Sequence, residues 1–67
     1  MERKTVSSTN ISSIGYENGI LEIRFRNGGT YQYYGVPESV YHSLMNASSK
    51  GRYLERYIKG KYRYRKV

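Results

Sequence analysis

The residues best suited to binding chemistry are the cations and tyrosines near the C-terminus. Of the twelve lysines and arginines in the chain, eight lie in residues 50–67, where Glu55 is the only acid. These cations are Lys50, Arg52, Arg56, Lys59, Lys61, Arg63, Arg65 and Lys66. The formal net charge of +7 is therefore concentrated at one end of the sequence. A field of one sign attracts phosphate-rich or otherwise acidic partners.

Four tyrosines are interleaved with these cations. Planar rings among positive charges suit stacking on unpaired bases. Tyr62 and Tyr64 lie in a charged run without apolar neighbours, so we expect them to be free for stacking, with Tyr34 as a further candidate. Tyr53 and Tyr57 share an apolar stripe at helical spacing, which predicts that they pack in the core. The pattern predicts a nucleic-acid-binding surface near the C-terminus.

The sequence offers little for catalysis. His42 is the only histidine, and its predicted place on the polar side of a helix favours an exposed side chain over a general base. The five carboxylates are too scattered to form a paired acid and base or a metal cage. Cysteine is absent, which excludes thiolate metal sites and a cysteine nucleophile. We expect a binding module rather than an enzyme, with no catalytic residue, no cofactor and no metal site.

Three strands are predicted in the first half of the chain. Residues 20–26 alternate between apolar and charged side chains, which is the period of a half-buried strand. Residues 11–16 and 30–34 favour strands through their apolar, aromatic and β-branched content. Glycine-containing turns at residues 17–19 and 27–29 join these strands as hairpins. The pattern therefore predicts a three-stranded antiparallel meander.

Two short C-terminal helices are predicted after the strands. Pro37 and Glu38 are favourable at a helix start, and apolar residues recur at helical spacing as far as Ala47. Ser48 or Ser49 can cap a second helix, with a stop at residue 60. We expect both helices to cover the apolar face of the meander, which gives an α+β fold.

The chain is predicted to contain one folded domain with an extension at each end. Residues 1–9 lack periodicity and are expected to form a flexible arm, residues 10–60 the domain, and residues 61–67 a basic, partly ordered tail. A chain of 67 residues has room for a single domain. The sequence shows neither a signal-peptide pattern nor an apolar run of about 20 residues. We therefore expect a cytoplasmic monomer without stable membrane insertion.

Several spaced motifs together resemble one known family. They are residues 11–16 (ISSIGY), 31–41 (YQYYGVPESVY), Leu44, 49–58 (SKGRYLERYI) and 60–64 (GKYRY). From Asn10 onward the chain resembles the KTSC domain, named for its occurrence at the C-terminus of some lysyl-tRNA synthetases and also found as a stand-alone bacterial or phage protein. The family's central Tyr-x-Tyr corresponds to Tyr31 and Tyr33. Leu54 departs from the pattern, because an aromatic residue is expected after Tyr53.

The resemblance implies a small α+β domain with a proposed role in RNA binding and without catalytic residues. For Tyr31 and Tyr33, alternation along a strand predicts a structural role beside the core. The expected nucleic-acid-binding residues are Lys50, Arg52, Arg56, Lys59, Lys61, Tyr62, Arg63, Tyr64, Arg65 and Lys66. An acidic protein bound at the same surface is the alternative partner. Binding to anionic lipid is a weaker alternative, because the tail has no extended apolar face.

Overall fold

A five-stranded antiparallel sheet and two helices make up the fold in the computed structural model, which describes residues 2–67. The elements are β1 (Arg3–Thr5), β2 (Ile11–Glu17), β3 (Ile20–Phe25), β4 (Thr30–Tyr33), α1 (Glu38–Asn46), α2 (Lys50–Tyr57) and β5 (Tyr64–Lys66). Neighbouring strands follow the order β1-β2-β3-β4-β5 across the sheet. The expected α+β class, with an antiparallel sheet and two helices, is confirmed.

The prediction of three strands was wrong, because two further strands form the edges of the sheet. β1 lies within the segment expected to be a flexible arm, and β5 lies within the segment expected to be a basic tail. Each has only three residues, and every residue of β5 is exposed. A strand this short without a buried side chain has no detectable alternation. β1 and β5 form because their backbones pair with β2 and β4, and the local sequence does not indicate this pairing.

The turn between β2 and β3 sets which side chains face the core. Asn18 and Gly19 have φ angles of 51° and 80°, and Glu17 pairs directly with Ile20 across this two-residue loop. Asn and Gly adopt positive φ at low cost, and such turns match the twist of a hairpin. A shift of register by one residue would turn every apolar side chain of β3 to the opposite face.

The buried core joins one face of the sheet to both helices. Ile14, Leu21 and Ile23 are fully buried on this face, and Leu44 of α1 and Leu54 of α2 belong to the same cluster. The other buried members are Val6, Ile11, Tyr33, Val36 and Ile58. An irregularity in β2 between residues 11 and 13 lets Ile11 pair with Phe25, so that it also joins the core.

The helix starts follow from local chemistry. α1 begins directly after Pro37, whose φ of −65° suits a helix start, and Glu38 places an acid in the first turn. The Ser49 hydroxyl accepts a hydrogen bond from the backbone N–H of Arg52 and caps α2. Neither helix in the described part of the chain is long and apolar enough to cross a membrane.

The face of the sheet away from the helices carries a row of bonded polar side chains. Arg3 Nη1 donates to Glu22 Oε2 at 2.9 Å, and Gln32 Nε2 donates to Glu22 Oε1 at 2.8 Å. The Tyr34 hydroxyl donates to Gln32 Oε1 at 3.1 Å. Gly15 lies between Arg3 and Glu22 in the register, and because it has no side chain the arginine reaches across it. We call Arg3, Glu22, Gln32 and Tyr34 the polar row.

Candidate nucleic-acid interface

Three adjoining depressions form one groove between α2, the loop that precedes β2, and the end of β3. The central depression shares Arg26 and Glu55 with the one at the N-terminal end of α2. It shares Phe25 and Lys59 with the one that reaches β5. The lining residues are 7–10, 25–29, 48–52, 54, 55, 59 and 60, together with Tyr31, Tyr33, Tyr64 and Lys66. We call this feature the α2 groove, and it runs from the N-terminal end of the helix past its C-terminal end to β5.

The charge of the α2 groove is strongly one-sided. Its lining cations are Arg26, Lys50, Arg52, Lys59 and Lys66. Glu55 is the only carboxylate among the lining residues, and its Oε2 lies 3.4 Å from Lys59 Nζ. Four cations of the groove are therefore left without an acidic partner inside it, and their combined field favours a polyanion.

The polar end of the groove holds three of these cations around a space of about 670 Å³. Arg26 Nε donates to the backbone carbonyl of Ser8 at 2.7 Å, which fixes its guanidinium beside the loop. Lys50 Nζ donates to the Ala47 carbonyl at 3.2 Å, and Arg52 is exposed on the first turn of α2. Arg26 keeps its other guanidinium N–H groups for a ligand, since an arginine has five donors. This end is suited to phosphate oxygens.

The opposite end of the groove is aromatic and encloses about 840 Å³. β4 places Tyr31 and Tyr33 on the helix side of the sheet, and the β4–β5 register places Tyr64 opposite Tyr33 and Lys66 opposite Tyr31. Tyr64 is 62% exposed, whereas Tyr33 is only 3% exposed. With Phe25, these residues give a floor of rings with one cation at its rim from β5. We call Phe25, Tyr31, Tyr33 and Tyr64 the aromatic cluster.

The environment of Tyr33 disfavours ionisation and raises the pKa of its phenol, which is neutral at pH 7 even at the usual tyrosine value. Burial raises the pKa of Tyr33 above the usual 10.0, and the neighbouring phenols of Tyr31 and Tyr64 and the carboxylate of Glu55 raise it further. A neutral phenol at this position adds no negative charge to the groove.

The comparisons with known proteins agree on one family. The family model of the KTSC domain matches residues 7–62. This chain belongs to the KTSC domain family. A crystal structure of a KTSC domain protein from Yersinia pestis superimposes with a TM-score of 0.96 at 53% sequence identity, covering 98% of this chain and 96% of that one. The resemblance inferred from the motifs is thereby confirmed.

Curated relatives of this KTSC domain differ greatly in length. An uncharacterised protein from Stutzerimonas stutzeri is 37% identical over 70 aligned positions, which cover 100% of this chain and 99% of the relative. A lysine–tRNA ligase from Trichormus variabilis is 43% identical over 47 residues, which cover 70% of this chain but only 8% of the ligase. The ligase is thus similar to this chain in one small segment.

Five of the ten residues expected to bind nucleic acid line the α2 groove of this KTSC domain. They are Lys50, Arg52, Lys59, Tyr64 and Lys66. The other five, Arg56, Lys61, Tyr62, Arg63 and Arg65, lie outside it. Arg65 pairs with Gln32 and therefore points to the face of the polar row. The residues of the basic segment therefore lie on more than one surface, and the composition of the segment does not indicate which residue lies on which surface.

Two tyrosines lie in surroundings opposite to those expected. Tyr62 is half-buried and packs against the core, although its sequence neighbours are charged. Tyr57, expected in the core, is 48% exposed, and its ring centroid lies 4.7 Å from that of Tyr53. The turn after α2 folds Tyr62 back onto the core, which local charge patterning does not reveal.

Arg26 and Phe25 line the groove but were missing from the expected site. Both lie at the end of β3, far in sequence from the basic segment, and only the packing of α2 beside that strand brings them to Lys50 and Lys59. The available signal was the position of Arg26 directly before the glycine turn, where a side chain is exposed at the sheet end. Within residues 2–67, no cluster of three His, Asp or Glu side chains is arranged to hold a metal ion.

Proposed function

We propose that this KTSC domain is a non-catalytic module that binds RNA along the α2 groove. The observation that carries the proposal is a groove with five lining cations and one carboxylate that ends on a partly open aromatic cluster. Phosphates supply the negative charge that the cations attract, and bases supply faces for the rings. A protein that binds only the RNA backbone would need the cations but not the aromatic rings.

The cations outside the groove support the same proposal in a different way. Arg56, Lys61, Arg63 and Arg65 are exposed outside the groove and add to the positive charge of the domain. Such charges raise the rate of encounter with a polyanion and are screened by salt. We infer that they steer the RNA while the groove cations contact it.

The similarity to lysine–tRNA ligases suggests tRNA as one of the RNAs to test. By name these proteins join lysine to tRNA, and a segment similar to most of this chain occurs within them. We therefore include tRNA among the probes. A cytoplasmic, monomeric protein is the setting that this proposal assumes, in line with the absence of cysteine from the chain.

One observation favours binding of an acidic protein as the second candidate function. Tyr53 and Tyr57 lie side by side on α2 with Arg56 between them in sequence, and Tyr57 is 48% exposed. Tyrosine and arginine are enriched among the residues that dominate protein interfaces. Protein binding at this helix would depend less steeply on salt than RNA binding, and RNA would not compete with it.

The test is a fluorescence-anisotropy titration of labelled single-stranded RNA, with tRNA and duplex DNA as comparators, at several salt concentrations. Two double variants of equal charge are compared with the parent protein. The groove variant carries Lys50→Gln and Arg52→Gln, and the matched control carries Arg63→Gln and Arg65→Gln, outside the groove.

The groove variant should bind RNA about 25-fold more weakly at about 0.1 M salt, because each lost contact to a single strand releases about 0.7 fewer counterions. Its plot of log affinity against log salt should be less steep by about 1.4. The control should lose less than about threefold, because it changes only long-range attraction. Equal losses in both variants would reject the groove as the site, and absence of RNA binding would reject the function.

A further inference from the structure

No two rings of the aromatic cluster stack in parallel, and even the least tilted pair, Tyr33 and Tyr64, has planes 38° apart at 5.8 Å. Phe25 and Tyr31 meet edge to face, with centroids 5.7 Å apart and planes at 78°, and Tyr31 and Tyr64 are tilted by 51° at 5.9 Å. By contrast, Tyr16 and Tyr41 elsewhere in the fold stack at 4.9 Å with planes only 12° apart. A ring already stacked on a neighbour has no face for a ligand on that side. The aromatic cluster retains such faces.

Tyr64 is exposed and yet held in place. Its side chain is on the groove side of β5, and backbone hydrogen bonds fasten the strand on both sides of it, from Tyr34 N–H to the Arg63 carbonyl and from Val67 N–H to the Thr30 carbonyl, each 2.9 Å. Because the backbone is fixed, only the side-chain torsions of Tyr64 are left to be ordered when a ligand binds. The exposed tyrosine is thus preorganised above Tyr31 and Tyr33.

The glycine turn that lines this end leaves the space open. A Cβ atom at Gly29 would lie 3.0 Å from Cε1 of Tyr31, so any side chain there would push against the ring. Gly28 has a φ of 109°, which other residues rarely adopt. The part of the lining formed by this turn is consequently backbone, and the volume of about 840 Å³ falls within the range of about 300–1,000 Å³ typical of ligand pockets.

Two lysines flank the rings. Lys59 Nζ lies 5.6 Å from the ring centroid of Phe25, and Lys66 lies opposite Tyr31 in the strand register. The cluster therefore has cations on the α2 side and on the β5 side, and Lys59 would exchange its exposed pair with Glu55 for a phosphate. A single nucleotide presents this combination, because its planar base is joined to a phosphate at each end of its sugar.

We propose that the aromatic cluster is a pocket for one unpaired base, with Lys59 and Lys66 bound to the phosphates on either side of it. The proposal rests on the RNA-binding function above and narrows its ligand to single-stranded RNA. A paired base stays stacked within its helix and does not enter the pocket. Tyr64 covers the base from the β5 side, and Tyr31 contacts it from β4.

The absence of tryptophan from the chain allows a direct test. Tyr64→Trp places the chain's single tryptophan in the pocket, and Tyr57→Trp places it on α2 outside the groove as the matched control. Each variant is titrated with short oligouridylate and with an abasic sugar–phosphate chain of the same length and charge. Stacking of a base on tryptophan quenches its fluorescence, whereas phosphate contacts alone do not place a ring over it.

Oligouridylate should quench Trp fluorescence in the Tyr64→Trp protein and not in the Tyr57→Trp protein, and the abasic chain should quench neither. A second substitution, Tyr64→Leu, should weaken oligouridylate binding by about 5- to 150-fold, the range for one lost base stack, and leave abasic-chain binding unchanged. Because Tyr64 is exposed, thermal unfolding should confirm that both Tyr64 variants fold.

Two different failures are distinguishable. If oligouridylate and the abasic chain bind equally and neither quenches the reporter, the base pocket is rejected while the charged groove stands. If neither chain binds, the RNA-binding function is rejected together with the pocket.

Discussion

The two faces of the sheet use charge in opposite ways. On the face away from the helices, Arg3, Glu22 and Gln32 bond to one another, so the polar row neutralises its own charge. On the helix side, the α2 groove gathers cations around a single carboxylate. A polar group satisfied within the protein contributes to stability, whereas one left without a partner is free for a ligand. Between these two groups of residues, pairing rather than the number of charges separates a structural cluster from the surface that we propose binds RNA.

The largest effect on this comparison should come from Glu22→Ala. Both oxygens of Glu22 accept hydrogen bonds, and its side chain is only 12% exposed, so its loss leaves Arg3 and Gln32 without partners. Hydrogen bonds to charged groups contribute about 1.5–3 kcal/mol. We expect the free energy of unfolding to fall by about 2 kcal/mol in urea denaturation, with RNA affinity unchanged.

The control for this variant is Glu38→Ala, which removes a carboxylate 3.4 Å from His42 in an exposed pair. Because the pair is exposed and an acid in the first turn of α1 contributes at most about 1 kcal/mol, its unfolding midpoint should move less than that of Glu22→Ala. If the two variants lose equal stability, the polar row does not hold the sheet face together.

Gly15 offers a second way to break the polar row. Arg3 reaches Glu22 across this residue, so a side chain at position 15 should displace the arginine. In a double-mutant cycle of Arg3→Met and Glu22→Gln, we expect a coupling energy of about 1 kcal/mol. The same cycle in a Gly15→Leu background should give a coupling close to zero. Persistence of the coupling would show that the arginine does not need the space above Gly15.

Removal of the one carboxylate in the groove should sharpen the contrast between the faces. Glu55→Gln should raise RNA affinity by about two- to fivefold, corresponding to the loss of about 0.5–1 kcal/mol of repulsion. The cost to α2 should be a few tenths of a kcal/mol, because the pair with Lys59 is exposed. Glu17→Gln, outside the groove, is the matched control, and an equal gain in that variant would indicate an effect of net charge alone.

The smallest effect concerns the buried phenol beneath the groove. The folded-state pKa of Tyr33 is raised by burial and by its tyrosine neighbours, so its stabilisation is complete below about pH 10 and decreases as pH rises above that value. Tyr33→Phe should make stability less sensitive to pH in this alkaline window. Urea denaturation between about pH 9 and 11 tests this, with Tyr57→Phe as the matched control. An identical pH profile in the Tyr33 variant and the parent would contradict the assignment.

The sequence was informative wherever a side chain is either clearly buried or clearly exposed. β3 was predictable because Leu21 and Ile23 alternate with charged residues, and both are fully buried. β1 and β5 were not predictable, because three exposed or half-exposed residues form no pattern and long-range pairing decides their structure. Sequence patterns predict a strand only when its own side chains alternate between buried and exposed positions.

The site was predictable in composition and not in geometry. Half of the residues expected to bind nucleic acid line the groove. The sequence does not distinguish Tyr62, which packs on the core, from Tyr64, which is exposed above the aromatic cluster. Arg26 was missed because it reaches the site only when α2 lies beside the end of β3. Such contacts between distant segments depend on tertiary packing.

β5 contributes to the groove without contributing to the buried core. The strand lines the groove with Tyr64 and Lys66, yet none of its three side chains is buried in the core. Under the proposed function, substitutions in β5 alter the contacts that the groove offers to RNA while leaving the buried core unchanged. The β5 positions proposed to contact the ligand can therefore be substituted without a compensating substitution in the core.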